Sequence, residues 1–249
     1  AGLLPVMTAR LSGLDQARGV ALVAMASYHF IFDLDLFGLV PSGTALSPYM
    51  RGYAIAIAGS FLFLSGLSMV LAHGVGRRWP AFWRRWGILV AAAAAVSLAT
   101  YFAFGAQFVF WGILHMMAAA SLVGIIFAGR VSARVLALAG VAAILAGAVL
   151  RLPIGTHPAL WITGLQESRP VTVDYLPIFP WIGPYLLGMA WAQFARDLGR
   201  PIMPQKICGG ALGAGLALLG RNSLAFYLIH QPVLLALVGG YVWLLDYAP

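Results

Sequence analysis

Apolar residues run almost end to end along this chain, in stretches separated by short breaks that carry Arg, Pro or Gly. Seven stretches, 14–37, 52–73, 85–104, 107–129, 133–150, 176–195 and 222–245, approach the roughly 20 residues with which a helix crosses a bilayer. They are too long, and too rich in Ala, Leu and Gly, for transmembrane β-strands of about 10 alternating residues. The pattern predicts an all-α fold, a polytopic integral membrane helical bundle of about seven transmembrane helices, because a helix satisfies its own backbone groups in lipid. The break at Gly105 to Gln107 is very short and predicts an antiparallel hairpin of the third and fourth spans. Residues 151–175, with Pro153, Pro158 and Pro170, form the longest connection and a candidate lid or docking surface. Residues 208–220 are apolar but short, which predicts an interfacial helix or a partial span. A full crossing there would move the C-terminus to the other side.

Composition sharpens this picture. Of 249 residues 62% are hydrophobic and 9% charged, with a mean hydropathy of +0.91, which excludes an ordinary water-soluble globule. The net charge of +8 does not point to nucleic acid, because the basic residues sit between apolar segments. It reads as topology. With the N-terminus cytoplasmic, Arg10, Arg77, Arg78, Arg84, Arg85, Arg130, Arg134, Arg196, Arg200, Lys206 and Arg221 fall inside, against Arg51, Arg151 and Arg169 outside. Eleven against three predicts an N-terminus inside and a C-terminus outside. The single cysteine, Cys208, excludes an internal disulfide and a cysteine-based metal site. Met7 reads as a natural start, so residues 1–6 are expected to be an upstream or expression-derived remnant and 7–249 a single transmembrane domain. No cleavable signal peptide is expected, since the first apolar run contains Asp15, Arg18 and His29. The small size and the lack of a transit sequence suggest a bacterial inner membrane.

Ionisable residues inside spans are costly, so each is a candidate for function. The first span has the most. Arg18 and His29 are eleven residues apart, hence about 20° apart around a helix and about 16 Å along it. With Asp15 and Asp33 they make one stripe, Asp15, Arg18, Leu22, Met25, His29, Asp33, which must face protein or a water-filled cavity. The simpler reading is two structural pairs, Asp15 with Arg18 and His29 with Asp33. The fourth span carries His115, and the seventh carries Ser223, Tyr227, His230 and Gln231, the first three on one face. The topology puts His29 and His115 in the outer half of the bilayer and His230 nearer the inner half, all three able to reach a central cavity. Against this stands a helix–helix hydrogen bond as the ordinary use of an intramembrane histidine. Asp174 and Tyr175 lie at the outer mouth of the sixth span, where Pro177, Pro180 and Pro184 predict an irregular start or bend. His73 and His157 are expected to be solvent-exposed, and Gly209 with Gly213 to serve helix packing. Two rival classes are a bis-histidine haem or quinone protein and a small-molecule transporter. A retinal-type Schiff base is excluded, because the only lysine, Lys206, is in a loop.

The stretch LDQARGVALVAMASYHF resembles the first-helix signature of the transmembrane acyltransferase superfamily, whose Arg-x10-His pattern, here Arg18 and His29, is shared with the acyltransferase-3 proteins. Together with Asp33 and Leu34, FWGILH, DYLPIFPWIGPYLLG and LGRNSLAFYLIHQP, it is similar to the bacterial DUF1624 proteins, related to the catalytic domain of heparan-α-glucosaminide N-acetyltransferase. The resemblance covers nearly the whole chain. It implies transfer of an acyl group, acetyl above all, from cytoplasmic acetyl-CoA or another acyl-CoA to a hydroxyl or amine of a glycan-type acceptor across the membrane. It implies no metal. On this resemblance His29, Asp33 and His115 are the catalytic candidates, with His29 as base or acyl carrier. Asp15, Arg18, Arg221, Asn222, Ser223, His230 and Gln231 are the candidates for binding acyl-CoA, with Arg77, Arg78, Arg84 and Arg85 as further phosphate contacts. Asp174, Tyr175 and Trp181 are the acceptor-binding candidates. The pattern departs from the lysosomal enzyme, whose proposed reactive histidine lies in the loop after the first span: residues 38–51 contain no histidine. The lipid bilayer, acyl-CoA and the glycan-type acceptor are the expected partners, nucleic acid is not, and a homodimer is left open.

Overall fold

In a computed structural model the described residues are 12–153 and 157–247, so the expected start at Met7, the remnant 1–6 and Arg10 lie outside them. Among the described residues there is no strand. The helices are α1 (Ser12–Leu36), α2 (Pro48–His73), α3 (Trp79–Phe104), α4 (Ile113–Phe127), α5 (Ala133–Val149), α6 (Ile178–Asp197), α7 (Gly210–Arg221) and α8 (Ser223–Tyr247). Their ends follow local chemistry. Pro48 opens α2 and Pro80 stands in the first turn of α3, where a missing N–H costs nothing. Ser132 caps α5 by accepting from the Val135 N–H at 3.4 Å. Gly105, with φ +57°, ends α3, a left-handed conformation that favours glycine.

By length and hydropathy α1, α2, α3 and α8 can cross a membrane, four helices rather than the expected seven. The reason is local. The run 107–129 spends its first residues on a 3-10 turn and an extended segment, so α4 keeps 15 residues, about 22 Å of rise against a hydrocarbon core of about 30 Å. Helix α5 has 17 residues and α7 has 12, so 208–220 is a short helix that cannot span as a straight one. Helix α6 has 20 residues but is broken at Phe179, whose φ/ψ of −101°, 127° is extended, and carries Pro184 within it. The proline-rich start thus behaves as its sequence predicts.

The contacts divide the chain into two compact units, residues 1–57 with 203–249, and residues 58–202. In the first, α1 packs along α7 and against α8. The approach is close because two crossing points lack a side chain: a Cβ at Gly19 would collide with the Leu216 backbone, and one at Gly220 with the Asp15 carbonyl. Gln16, 2% exposed, fixes the connection before α7. Its Nε2 donates to the carbonyls of Cys208 (2.9 Å) and Gly213 (3.1 Å), and its Oε1 accepts from the N–H groups of Ile207 (2.6 Å) and Cys208 (3.2 Å).

In the second unit α5 and α6 make the most extensive pair, and α3 and α4 form the expected antiparallel hairpin, Trp86 Nε1 donating to the Ala118 carbonyl at 3.1 Å. The long connection is not a free lid at its end. Thr172 Oγ1 donates to the Phe108 carbonyl (2.6 Å), Val173 N to that of Gln107 (3.0 Å) and Leu176 N to that of Trp111 (3.1 Å), binding 172–176 along 107–111. His73 is buried, against the expectation of exposure: its Nδ1 accepts from the Arg78 N–H at 3.4 Å and its ring meets Phe82 edge-on. Exposed His157 matches its expectation.

The α1–α7 crossing makes a clear prediction. Gly19→Ala forces the two backbones apart and lowers the unfolding temperature in detergent by several degrees, an overpacking cost of about 1–3 kcal/mol. Gly52→Ala, where a Cβ meets open space within α2, leaves that temperature unchanged or slightly raised.

Candidate active site

The polar stripe of α1 exists as a face: Asp15, Leu22, Met25 and Asp33 are all buried. At its N-terminal end Asp15 is 3% exposed, its Oδ1 lying 3.3 Å from Arg18 Nη1 and its Oδ2 3.5 Å from Arg221 Nε. Each carboxylate oxygen thus has its own guanidinium, and Arg221 also sits in the last turn of α7, where a cation is favoured. The side chains of Arg18 and Arg221 remain 21% and 47% exposed. Three acyl-CoA candidates are therefore together. Asn222 has a local task, its Nδ2 donating to the Leu218 carbonyl at 2.9 Å where α7 ends, and half-buried Ser223 begins α8.

Farther along α1, His29 and His230 of α8 pack ring against ring, centroids 5.0 Å apart at 63°. The first and last long helices thus bring together two of the three histidines expected to reach a common cavity. His230 Nδ1 lies 2.6 Å from the Tyr227 carbonyl, and a carbonyl only accepts, so Nδ1 carries the proton. Phe226 stacks on the other side of the ring, 6.0 Å away at 8°. His230 Nε2 is buried without a hydrogen-bond partner in the protein.

Asp33, which the simpler sequence reading pairs with His29, has its Oδ1 accepting from Gln231 Nε2 at 2.7 Å. Its Oδ2 and Gln231 Oε1 are buried and unpartnered. Asp33, His230 and Gln231 thus each hold one buried polar atom without a protein partner.

The remaining candidates belong to the second unit. His115 is fully committed: its Nδ1 accepts from the Gly112 N–H at 3.3 Å and its Nε2 lies 3.3 Å from Ser97 Oγ. The Ser97 hydroxyl donates to the Val109 carbonyl at 2.5 Å, so Nε2 must be the donor to Ser97. Both ring nitrogens are thus engaged within the protein, with Trp111 stacked alongside. Asp174 Oδ2 accepts from the Ile113 N–H at 3.1 Å and so caps α4 from a segment 61 residues away. A Cβ on Gly112 would collide with that carboxylate. Burial pushes the Asp174 carboxyl up to about 6, the Ile113 N–H pulling the other way. Tyr175 Oη donates to the Trp161 carbonyl at 2.5 Å, and its ring stacks on Phe110 at 6.0 Å, which in turn meets Trp161. Burial raises its phenol. Trp181 is half-buried in the first turns of α6. Gln16, Phe110 and Trp161 were invisible as site residues in the sequence, since they sit at a helix start or in loops without periodicity.

Long apolar helices, one with a buried ionic stripe leading to paired imidazoles, point to an integral membrane protein with a polar centre. Residues 10–232 match the family described as heparan-alpha-glucosaminide N-acetyltransferase, catalytic, and the chain belongs to that family, which points to a membrane acetyltransferase. No curated protein and no solved structure matches the chain.

A pH dependence follows from Asp174. A carboxyl raised by folding is held neutral more readily in the folded than in the unfolded chain, so its ionisation penalises folding progressively from about pH 4 to about pH 6. Thermal unfolding in detergent is expected to show wild type losing stability between about pH 4 and about pH 6 relative to Asp174→Asn, which cannot ionise.

Proposed function

We propose that this chain is an acyltransferase that moves an acetyl group from cytoplasmic acyl-CoA to a hydroxyl or amine of a glycan-type acceptor on the outer side of a bacterial inner membrane. The observation that carries the reading is the His29–His230 contact beside Asp33 and Gln231, with three buried polar atoms lacking partners, in a chain of this family. A thioester is already activated. The enzyme needs a base to take the acceptor's proton and donors for the developing oxyanion. His29 serves as that base, or as the acyl carrier that accepts the group and passes it on.

The positive-inside bias supports the orientation, which sets Arg18 and Arg221 toward the cytoplasm and His29 about 16 Å deeper. The two arginines neutralise Asp15 yet keep exposed edges, which suits phosphate-bearing CoA. Asp174, Tyr175 and Trp181 remain the acceptor-side candidates, Asp174 under the constraint that it also caps α4. The haem rival fits poorly. Two imidazoles on one iron approach it nitrogen-first from opposite faces of a porphyrin, whereas His29 and His230 pack edge-on with no slot between them.

Binding and turnover of radiolabelled acetyl-CoA by the purified protein in detergent test this reading. His29→Ala is expected to abolish acetyl turnover while leaving binding intact, and Arg18→Ala to weaken binding about tenfold or more. Failure of the wild type to bind any acyl-CoA would sink it.

A further inference from the structure

We infer that His230 is the proton partner of His29: its Nε2 receives the proton that His29 takes up during acyl transfer. The inference rests on the acetyltransfer reading and adds to it a residue that acts through His29.

The geometry specifies His230 for this post. A neutral imidazole has one N–H and one lone pair, and the neighbour of one nitrogen decides which is which. In His230 the Tyr227 carbonyl takes the Nδ1 proton, so the lone pair lies on Nε2. That atom is buried and unpartnered, and the ring stands against His29 at 5.0 Å. His115 makes the contrast, with both nitrogens engaged by Gly112 and Ser97. His29 has no hydrogen bond among the described residues, which leaves it free to face a substrate on one side and His230 on the other. The Phe226 stack and the Asp33–Gln231 hydrogen bond, one residue on from His230, fix the ring and hold α8 against α1. The titratable groups around His230 are His29, Asp33 and Tyr28 of α1, Tyr227 of its own helix, and Tyr53 of α2, which meets Tyr28 at 6.5 Å. Arg18 of the ionic cluster with Asp15 and Arg221 lies about 16 Å back along α1 from His29.

The proton bookkeeping closes. As the acceptor oxygen or nitrogen attacks the thioester carbonyl, its proton passes to His29 and on to His230 Nε2. Collapse of the tetrahedral intermediate breaks the C–S bond, and the CoA thiolate takes that proton, returning both rings to neutral. Where His29 carries the acyl group, its own ring proton goes to His230 as the C–S bond breaks and reaches the thiolate likewise. A neutral N-acyl imidazole is left for the acceptor to attack.

His230→Asn tests the relay, since the Asn amide can still donate to the Tyr227 carbonyl but offers no lone pair of imidazole basicity. Acetyl-CoA binding is expected within about twofold of wild type, while kcat falls by about 10²–10⁴, the range of a lost general base. Its pH–rate profile loses one ionisation, and added imidazole restores part of the rate. A His230→Asn enzyme that turns over at the wild-type rate with an unchanged profile, beside an inactive His29→Ala, overturns the relay and leaves acetyltransfer standing. A wild type that never turns over acetyl-CoA overturns both. Should His230→Asn fail to fold, 15N NMR of histidine-labelled wild type decides: a His230 protonated at Nδ1 with a bare Nε2 supports the relay, and the opposite tautomer refutes it.

Discussion

Asp15 sets the constraint around which the first unit is organised. A carboxylate 3% exposed in an apolar helix costs several kcal/mol unless it is paired; Arg18 of the same helix takes one oxygen, and the other is left for a cation from another helix. Arg221 supplies it, and for its reach to be short α7 must come down onto α1 almost backbone to backbone. Glycine at 19 and 220 permits that approach, and Gln16 seals the neighbouring connection with four hydrogen bonds. Position follows from this docking. Because Asn222 is the only residue between α7 and α8, the charge pairing at the start of α1 also decides where His230 arrives.

Two histidines in comparable apolar surroundings end with different chemistry, and the difference is set by backbone carbonyls and amides. At His115 a backbone N–H and a hydroxyl claim both nitrogens, which makes the ring a brace between α3 and α4. At His230 a carbonyl claims only one, and the other nitrogen keeps its lone pair where water is excluded. Neither ring's tautomer depends on a charged partner. Which nitrogen of a buried histidine keeps a free lone pair is therefore decided by the hydrogen-bond partners around it.

The all-helical class, the α3–α4 hairpin, the broken start of α6 and the polar face of α1 were legible in the sequence, because each leaves a periodic or proline signature. The Asp15–Arg18 pair was also legible, being three residues apart on one helix. Arg221 and Gln231 as partners of Asp15 and Asp33 were not, since spacing along one helix says nothing of which neighbour turns toward it. Hence Asp33 was matched to His29 one turn away, when a residue 198 positions distant had the better geometry. The burial of His73 was hidden for the opposite reason: it sits at a helix end, ordinarily a wet place, but the Arg78 backbone and Phe82 fold over it. Among the described residues four of the seven expected spans form helices long and apolar enough to cross a membrane, and at 107–112 apolar residues go to a loop instead.

The single-residue joint at Asn222 has a mechanical meaning. Helix α7 closes at Arg221 and α8 opens at Ser223, with Asn222 hydrogen-bonded into both, so the two helices share one stiff elbow. Any anion that draws Arg221 away from Asp15 pulls on that elbow. About two turns later α8 carries His230. The arginine end and the imidazole end are thereby joined through the backbone alone, with no relay of side chains in between.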